Sequence, residues 1–97
     1  MGTERILGPS VRLRTEPAAT RMFGRDLLVN AGGAEAPVQR IMGAGVDLWW
    51  AFSAGQSIGE ATEQMAERTG VPAAEVQTHV VKFATELVRV HLAEPTW

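Results

Sequence analysis

The strongest pattern in the chain is a helical repeat of hydrophobic residues over residues 72–91. At about 100° per residue, one face of this predicted helix carries five apolar residues: Val76, Val80, Phe83, Leu87 and Val90. Three more apolar residues, Val81, Ala84 and Val88, form a shoulder beside that face. The apolar arc is therefore about twice as wide as the ~100° stripe with which a surface helix covers a core. Either another part of the domain or a partner must cover the shoulder.

Three short segments in the first half of the chain have the pattern of β-strands. Residues 11–14 alternate apolar and basic side chains. Residues 27–30 form the second segment, which begins with an apolar run of three residues and has residues 21–23 as a lead-in. The third segment, residues 37–41, begins with Pro37, which suits the first residue of an edge strand. Turn-forming residues between the second and third segments predict a hairpin. We therefore expect the third strand to present unpaired backbone groups along one edge.

Two shorter helices are predicted between these strands and the long helix. Residues 46–52 are so densely apolar that we expect a buried helix there. Ser57 and Glu60 have the spacing of a capping box at the start of the next helix, and Gly70 is its expected end. Strands followed by helices indicate an α+β fold. Residues 1–10 have no hydrophobic period, so we expect a flexible N-terminal arm.

Composition narrows the class of protein without identifying it. The 97 residues contain no cysteine, which excludes disulfides and thiolate metal sites. No apolar run reaches the ~18 residues of a membrane span, so we expect a cytoplasmic protein that does not insert into membranes. The net charge of −2 argues against nucleic acid as the partner. The charge is uneven, because the first half is richer in arginine and the second half in acidic residues.

Residues that could carry chemistry are scattered along the chain. His79 and His91 are about 120° apart around the predicted helix, so they do not share a metal ion. The sequence offers no Ser-His-Asp spacing, no paired carboxylates that would be buried and no phosphate-binding glycine loop. Trp49, Trp50 and Phe52 lie in the densest apolar run, so we interpret them as core residues. The sequence therefore predicts a protein that is not an enzyme and that uses no metal or cofactor.

Three stretches of the chain carry a family resemblance. The first is the run IMGAGVDLWWAFSAG over residues 41–55, the second is the predicted helix over residues 57–70, and the third is the apolar spacing of the last helix, continued by Leu92 and Glu94. Together they resemble the PqqD-like family, which recognises precursor peptides in pathways to ribosomally synthesised and post-translationally modified peptides. The resemblance covers about residues 11–94. The chain departs from the family in having no tyrosine and in carrying His91 where the family often has glycine.

The resemblance implies a winged-helix-like fold with a three-stranded antiparallel sheet followed by three helices. It also implies a non-catalytic module that binds the leader of a precursor peptide and presents it to a modifying enzyme. The leader would add as a fourth strand to the third strand and lie beside the last helix. The expected peptide-binding residues are Pro37, Val38, Gln39, Arg40 and Ile41 on the strand, and Val81, Lys82, Ala84, Thr85 and Val88 on the helix.

Two other functions fit the same pattern. A winged-helix transcription regulator would need basic residues along the last helix, which offers Lys82 and Arg89 beside Glu86. A homodimer could instead use the same strand edge and shoulder on a second copy of the chain. Binding to duplex DNA would favour the first alternative, and association that depends on protein concentration would favour the second.

Overall fold

The computed structural model describes residues 7–15, 19–30 and 38–96. The strands are β1 (Arg12–Thr15), β2 (Ala19–Phe23), β3 (Asp26–Asn30), β4 (Val38–Ile41) and β5 (Ala93–Thr96). The helices are α1 (Ala44–Ser53), α2 (Ile58–Thr69) and α3 (Ala73–Arg89). Strands β2, β3 and β4 form a three-stranded antiparallel sheet, and β1 pairs with β5 in a separate two-stranded sheet. The predicted α+β fold, with a three-stranded antiparallel sheet and three helices, is confirmed.

The segment before the second predicted strand is a strand in its own right. Phe23 pairs with Asp26, so a two-residue turn of Gly24 and Arg25 joins β2 to β3. Gly24 has a φ of 65°, which fits the first central position of a type II′ hairpin turn. The side chains from Thr20 to Phe23 are all exposed. Since residues 20–23 are all exposed, this part of the strand shows no alternation in burial that the sequence could reveal.

The first predicted strand lies in a different sheet from the one expected. Instead of joining the three-stranded sheet, β1 pairs with β5, with Leu13 opposite Pro95. Leu13 and Ala93 are buried, so this small sheet covers one side of the core. The strands therefore do not all precede the helices, because the chain returns after α3 to complete the β1 sheet.

Helices α2 and α3 bury most of the residues on the faces that their periodicity indicates, whereas α1 departs from its prediction. Val76, Val80 and Leu87 of α3 are at most 5% exposed, and the capping box of Ser57 and Glu60 is present at the start of α2. The prediction that α1 is buried all round is wrong. Its buried residues are Val46, Leu48, Trp49 and Phe52, whereas the side chain of Trp50 is 46% exposed.

The prediction of a flexible arm over residues 1–10 does not hold for residues 7–10. Leu7 is only 6% exposed and belongs to the core, and Val11 donates a hydrogen bond to the Gly8 carbonyl. The Gly59 amide donates to the Pro9 carbonyl over 2.8 Å, which ties this segment to the first turn of α2. Residues 1–6 lie outside the described part of the chain. None of the described helices is long and apolar enough to cross a membrane.

Candidate functional site

Strand β4 occupies one side of the three-stranded sheet. It pairs with β3 from Val38, opposite Asn30, to Ile41, opposite Leu27. No other described strand pairs with β4, so its second edge presents main-chain donors and acceptors to an incoming strand. Burial alternates along the strand. Ile41 is buried and Gln39 is half-buried, whereas Val38 and Arg40 are exposed.

A hollow of about 260 Å³ lies between β4 and the C-terminal half of α3. We call it the β4–α3 hollow. Residues 39–42 line it on the strand side, and Phe83, Glu86, Leu87, Val90 and Leu92 line it on the helix side. Three of these residues belong to the buried core, since Ile41, Leu87 and Leu92 are at most 5% exposed. The hollow is therefore an opening onto the core beside a strand edge.

A glycine in α1 allows the floor of the hollow to pack closely. A Cβ atom at Gly45 would lie 2.9 Å from Cε1 of Phe83 and 3.0 Å from Cγ2 of Ile41. Real Cβ atoms do not approach other heavy atoms so closely, so this position requires glycine while Phe83 keeps its place. Gly45, in the first turn of α1, thus leaves room for the aromatic ring that borders the hollow.

The end of α3 places Leu92 beneath the hollow. The Leu92 amide donates to the Leu87 carbonyl over 2.9 Å, and the His91 amide donates to the Val88 carbonyl over 3.1 Å. These two bonds form a Schellman motif with His91 in the left-handed conformation, at a φ of 63°. The corresponding residue at the end of α1 is Gly55. His91 thus occupies a backbone conformation that favours glycine.

Both charged residues on the rim of the hollow have partners within the chain. Arg40 pairs with Asp26 on the neighbouring strand, and its Nε donates to Asp26 Oδ2 over 2.8 Å. Arg89 Nε donates to Glu86 Oε2 over 2.9 Å. This hydrogen bond lowers the pKa of the Glu86 carboxyl and raises the pKa of Arg89. The rim thus carries one positive and one negative group, both held in place by ion pairs.

The strand residues predicted to bind peptide are gathered at this edge. Gln39, Arg40 and Ile41 line the β4–α3 hollow, and Val38 lies on the same strand with 58% of its side chain exposed. Pro37 lies outside the described residues. The strand half of the predicted site therefore borders the hollow.

The helix residues predicted to bind peptide do not line this hollow. Ala84 is 0% exposed and belongs to the core, so its assignment to a binding surface is wrong. Val81 and Val88 are half-buried and pack against the core. Lys82 and Thr85 are exposed, and the Thr85 hydroxyl donates to the Val81 carbonyl over 2.7 Å.

The residues that do border β4 lie on the opposite flank of α3. Phe83, Glu86 and Val90 precede the buried face around the helix, whereas the shoulder follows it. The sequence identified Phe83 and Val90 as apolar but assigned both to the core. Periodicity located the buried face correctly, but it carries no signal for which flank the strand approaches.

The described side chains also bear on metal binding. Within residues 7–15, 19–30 and 38–96, no three His, Asp or Glu side chains are grouped so that they could hold a metal ion.

Comparisons of the chain with protein-family models, with curated proteins and with solved structures found no match.

Proposed function

We propose that this chain is a peptide-recognition module that binds an extended peptide along β4, above the β4–α3 hollow. The observation that carries the proposal is the juxtaposition of an open strand edge with an opening onto the core. Strand addition supplies main-chain hydrogen bonds for affinity, and pockets for alternate side chains supply specificity. The open edge of β4 can supply the main-chain hydrogen bonds, and the β4–α3 hollow can supply a pocket for a side chain.

The size of the hollow supports a peptide as the ligand. Sites for drug-sized molecules typically enclose about 300–1,000 Å³, and the hollow of about 260 Å³ falls below that range. Every second side chain of an added strand points to the same face of the sheet. An apolar side chain from such a position would contact Ile41, Phe83 and Val90, while its neighbours remain in solvent.

The biological role follows from the family resemblance. We propose that the peptide is the leader of a ribosomally synthesised precursor and that the chain presents it, without catalysis, to a modifying enzyme. Such precursors are made in the cytoplasm, which is where we place the protein. The rim supports this choice of ligand only in part, because Arg40 and Glu86 offer one charge of each sign.

A backbone-modified peptide provides the direct test. The probe is a fluorescein-labelled leader peptide encoded beside this gene, prepared with single N-methyl groups at successive residues. Methylation removes a donor, so binding should fall by more than about tenfold at every second residue of the bound segment and change little between them. A loss at successive residues, or no loss at any position, would contradict strand addition.

A matched pair of variants locates the side-chain contacts. Val90 and Val81 are both half-buried valines on opposite flanks of the same buried helix face. Val90→Asp places a charge in the hollow and should weaken binding by more than about tenfold, or ~1.4 kcal/mol. Val81→Asp should leave binding unchanged. The isosteric variants Val90→Thr and Val81→Thr repeat the comparison if circular dichroism shows that an aspartate variant is unfolded.

The other outcomes of these titrations identify the alternatives. Loss of binding in Val81→Asp alone would return the site to the shoulder predicted from the sequence. Sub-micromolar binding of duplex DNA at physiological salt would favour the transcription regulator. Sedimentation that changes with protein concentration would favour a homodimer through β4.

A further inference from the structure

A second hollow, of about 300 Å³, lies between α1 and α2. We call it the α1–α2 hollow. Its walls include Asp47 and Trp50 from α1, Gln56 from the loop, and Met65 and Arg68 from α2. It shares no lining residue with the β4–α3 hollow. Because the backbone groups inside both helices bond within their own helix, a ligand here is recognised through side chains.

Three groups in this hollow favour a cation. Trp50 is 46% exposed, and the face of an indole ring attracts guanidinium and ammonium groups. Asp47 supplies a carboxylate whose side chain is 55% exposed. Gln56 Oε1 is buried and has no hydrogen-bond donor among the described residues. Gln56 lines the hollow, so an N–H group that enters there could satisfy this acceptor.

The structure already contains a guanidinium at this place. Arg68 Nη2 lies 3.2 Å from Asp47 Oδ2, and the Arg68 side chain remains 54% exposed. An exposed ion pair of this kind contributes only about 0.2–1 kcal/mol, so a competing cation can displace it. The Arg68–Asp47 pair thus shows that a guanidinium can lie in this hollow, and its exposure leaves the hollow accessible to a ligand.

The surrounding charge also favours a basic partner. Glu63 and Glu67 are exposed elsewhere on α2, and together with Glu60 they outnumber the single arginine of this helix. The sheet has the opposite character, since Arg21, Arg25 and Arg40 are all exposed there. Such separation of charge orients an approaching partner through its own charged surface.

We propose that the α1–α2 hollow binds an arginine side chain presented by a partner protein, and that Arg68 occupies this place in the free protein. The inserted guanidinium stacks on Trp50, pairs with Asp47 and donates to Gln56. This proposal does not rest on the peptide site, because it uses different residues on a different face. In a peptide-modifying complex, such a hollow would dock the modifying enzyme while β4 holds the peptide.

Titration of the full chain with Nα-acetyl-arginine N-methylamide tests the proposal. The neutral isostere Nα-acetyl-citrulline N-methylamide is the ligand control, and two-dimensional ¹H–¹⁵N NMR is the readout. The arginine probe should give saturable shifts at the Trp50 indole and around the hollow, with a Kd on the order of millimolar. The citrulline probe should give no saturable shift.

Three variants should change the affinity for the arginine probe in three different ways. Arg68→Gln removes the internal competitor and should tighten probe binding by about two- to fivefold, the range that an exposed ion pair permits. Asp47→Asn should weaken binding by a similar factor. Glu86→Gln, which removes a carboxylate from the other hollow, should leave binding of the arginine probe unchanged. All three positions are exposed, so folding is preserved.

Two results would overturn the proposal. Shifts distributed over all exposed carboxylates would show non-specific attraction, and unchanged binding in Arg68→Gln would show that the guanidinium does not compete for the same place. Neither result depends on whether β4 binds a peptide, so the failure of one proposal leaves the other standing.

Discussion

The β4–α3 hollow and the α1–α2 hollow are similar in size, at about 260 and 300 Å³, but they differ in the backbone beside them. The first borders a strand whose outer edge is open among the described residues. The second lies between two helices whose internal backbone groups already have partners. A strand edge can bind the main chain of many sequences, whereas a cleft between helices can select only side chains. The β4–α3 hollow therefore suits an extended segment of a partner chain, whereas the α1–α2 hollow suits a single side chain.

The largest expected effect distinguishes the wall of the α1–α2 hollow from the core beneath it. Trp49 is 1% exposed and the adjacent Trp50 is 46% exposed. Trp49→Ala should lower the free energy of unfolding by about 3–5 kcal/mol, because it removes a large buried side chain. Trp50→Ala should cost about 1 kcal/mol or less while abolishing binding of the arginine probe. Urea denaturation measures both, and equal losses of stability would mean that Trp50 is a core residue.

The next effect concerns the floor of the β4–α3 hollow. In Gly45→Ala the new methyl group is too close to Phe83 and Ile41, and overpacking of this kind costs about 1–3 kcal/mol. The same change should reduce peptide binding and leave the arginine probe unaffected. The double variant Gly45→Ala with Phe83→Leu removes the ring and should recover part of the stability. Thermal denaturation of the wild type, Gly45→Ala, Phe83→Leu and the double variant tests this, and additive losses would contradict a direct contact.

A smaller effect is expected where α3 ends beneath that hollow. His91→Gly relieves a left-handed conformation in a non-glycine residue and should raise the free energy of unfolding by about 0.5–1 kcal/mol. His91→Ala keeps the strained conformation and is the control, with no gain expected. A gain in both variants would assign the effect to the imidazole and not to the backbone. Peptide binding should be unchanged, because His91 does not line the hollow.

The smallest effect is the response to acid, and it differs between two carboxylates. The pKa of Glu60 is lowered by hydrogen bonds with Ser57 and by the charge of Arg12, and the pKa of Glu86 is lowered by Arg89. Each ionised carboxylate therefore stabilises the fold above its ordinary pKa of 4.5, and this stability is lost as the pH falls through the lowered value.

Salt distinguishes these two contributions. Glu86 is held by an exposed ion pair, so added salt should weaken its part of the pH dependence. Glu60 also accepts a hydrogen bond from the Ser57 amide over 2.9 Å, which salt affects less. Urea midpoints of Glu60→Gln and Glu86→Gln, measured from neutral pH to below 4.5 at low and high salt, test this. Equal salt sensitivity in both variants would contradict the distinction.

The sequence by itself determined the elements whose stabilising contacts are local. The helical period located the buried face of α3 at Val76, Val80 and Leu87, since residues three and four apart share one side of a helix. The capping box of Ser57 and Glu60 was predictable because both partners lie within four residues. The strand half of the candidate site, residues 38–41, followed from the same kind of local pattern.

Only the tertiary structure decided which surfaces were left open. Strand β1 pairs with β5, and the ion pair of Arg14 and Glu94 on these strands joins residues 80 positions apart, beyond the reach of any local pattern. Two adjacent tryptophans look alike in sequence, yet the packing of α1 buries Trp49 and exposes Trp50. The flank of α3 that borders β4 carries Phe83 and Val90, and not the predicted shoulder. An amphipathic pattern specifies how much of a helix is apolar, but what covers each part depends on where the distant strands lie.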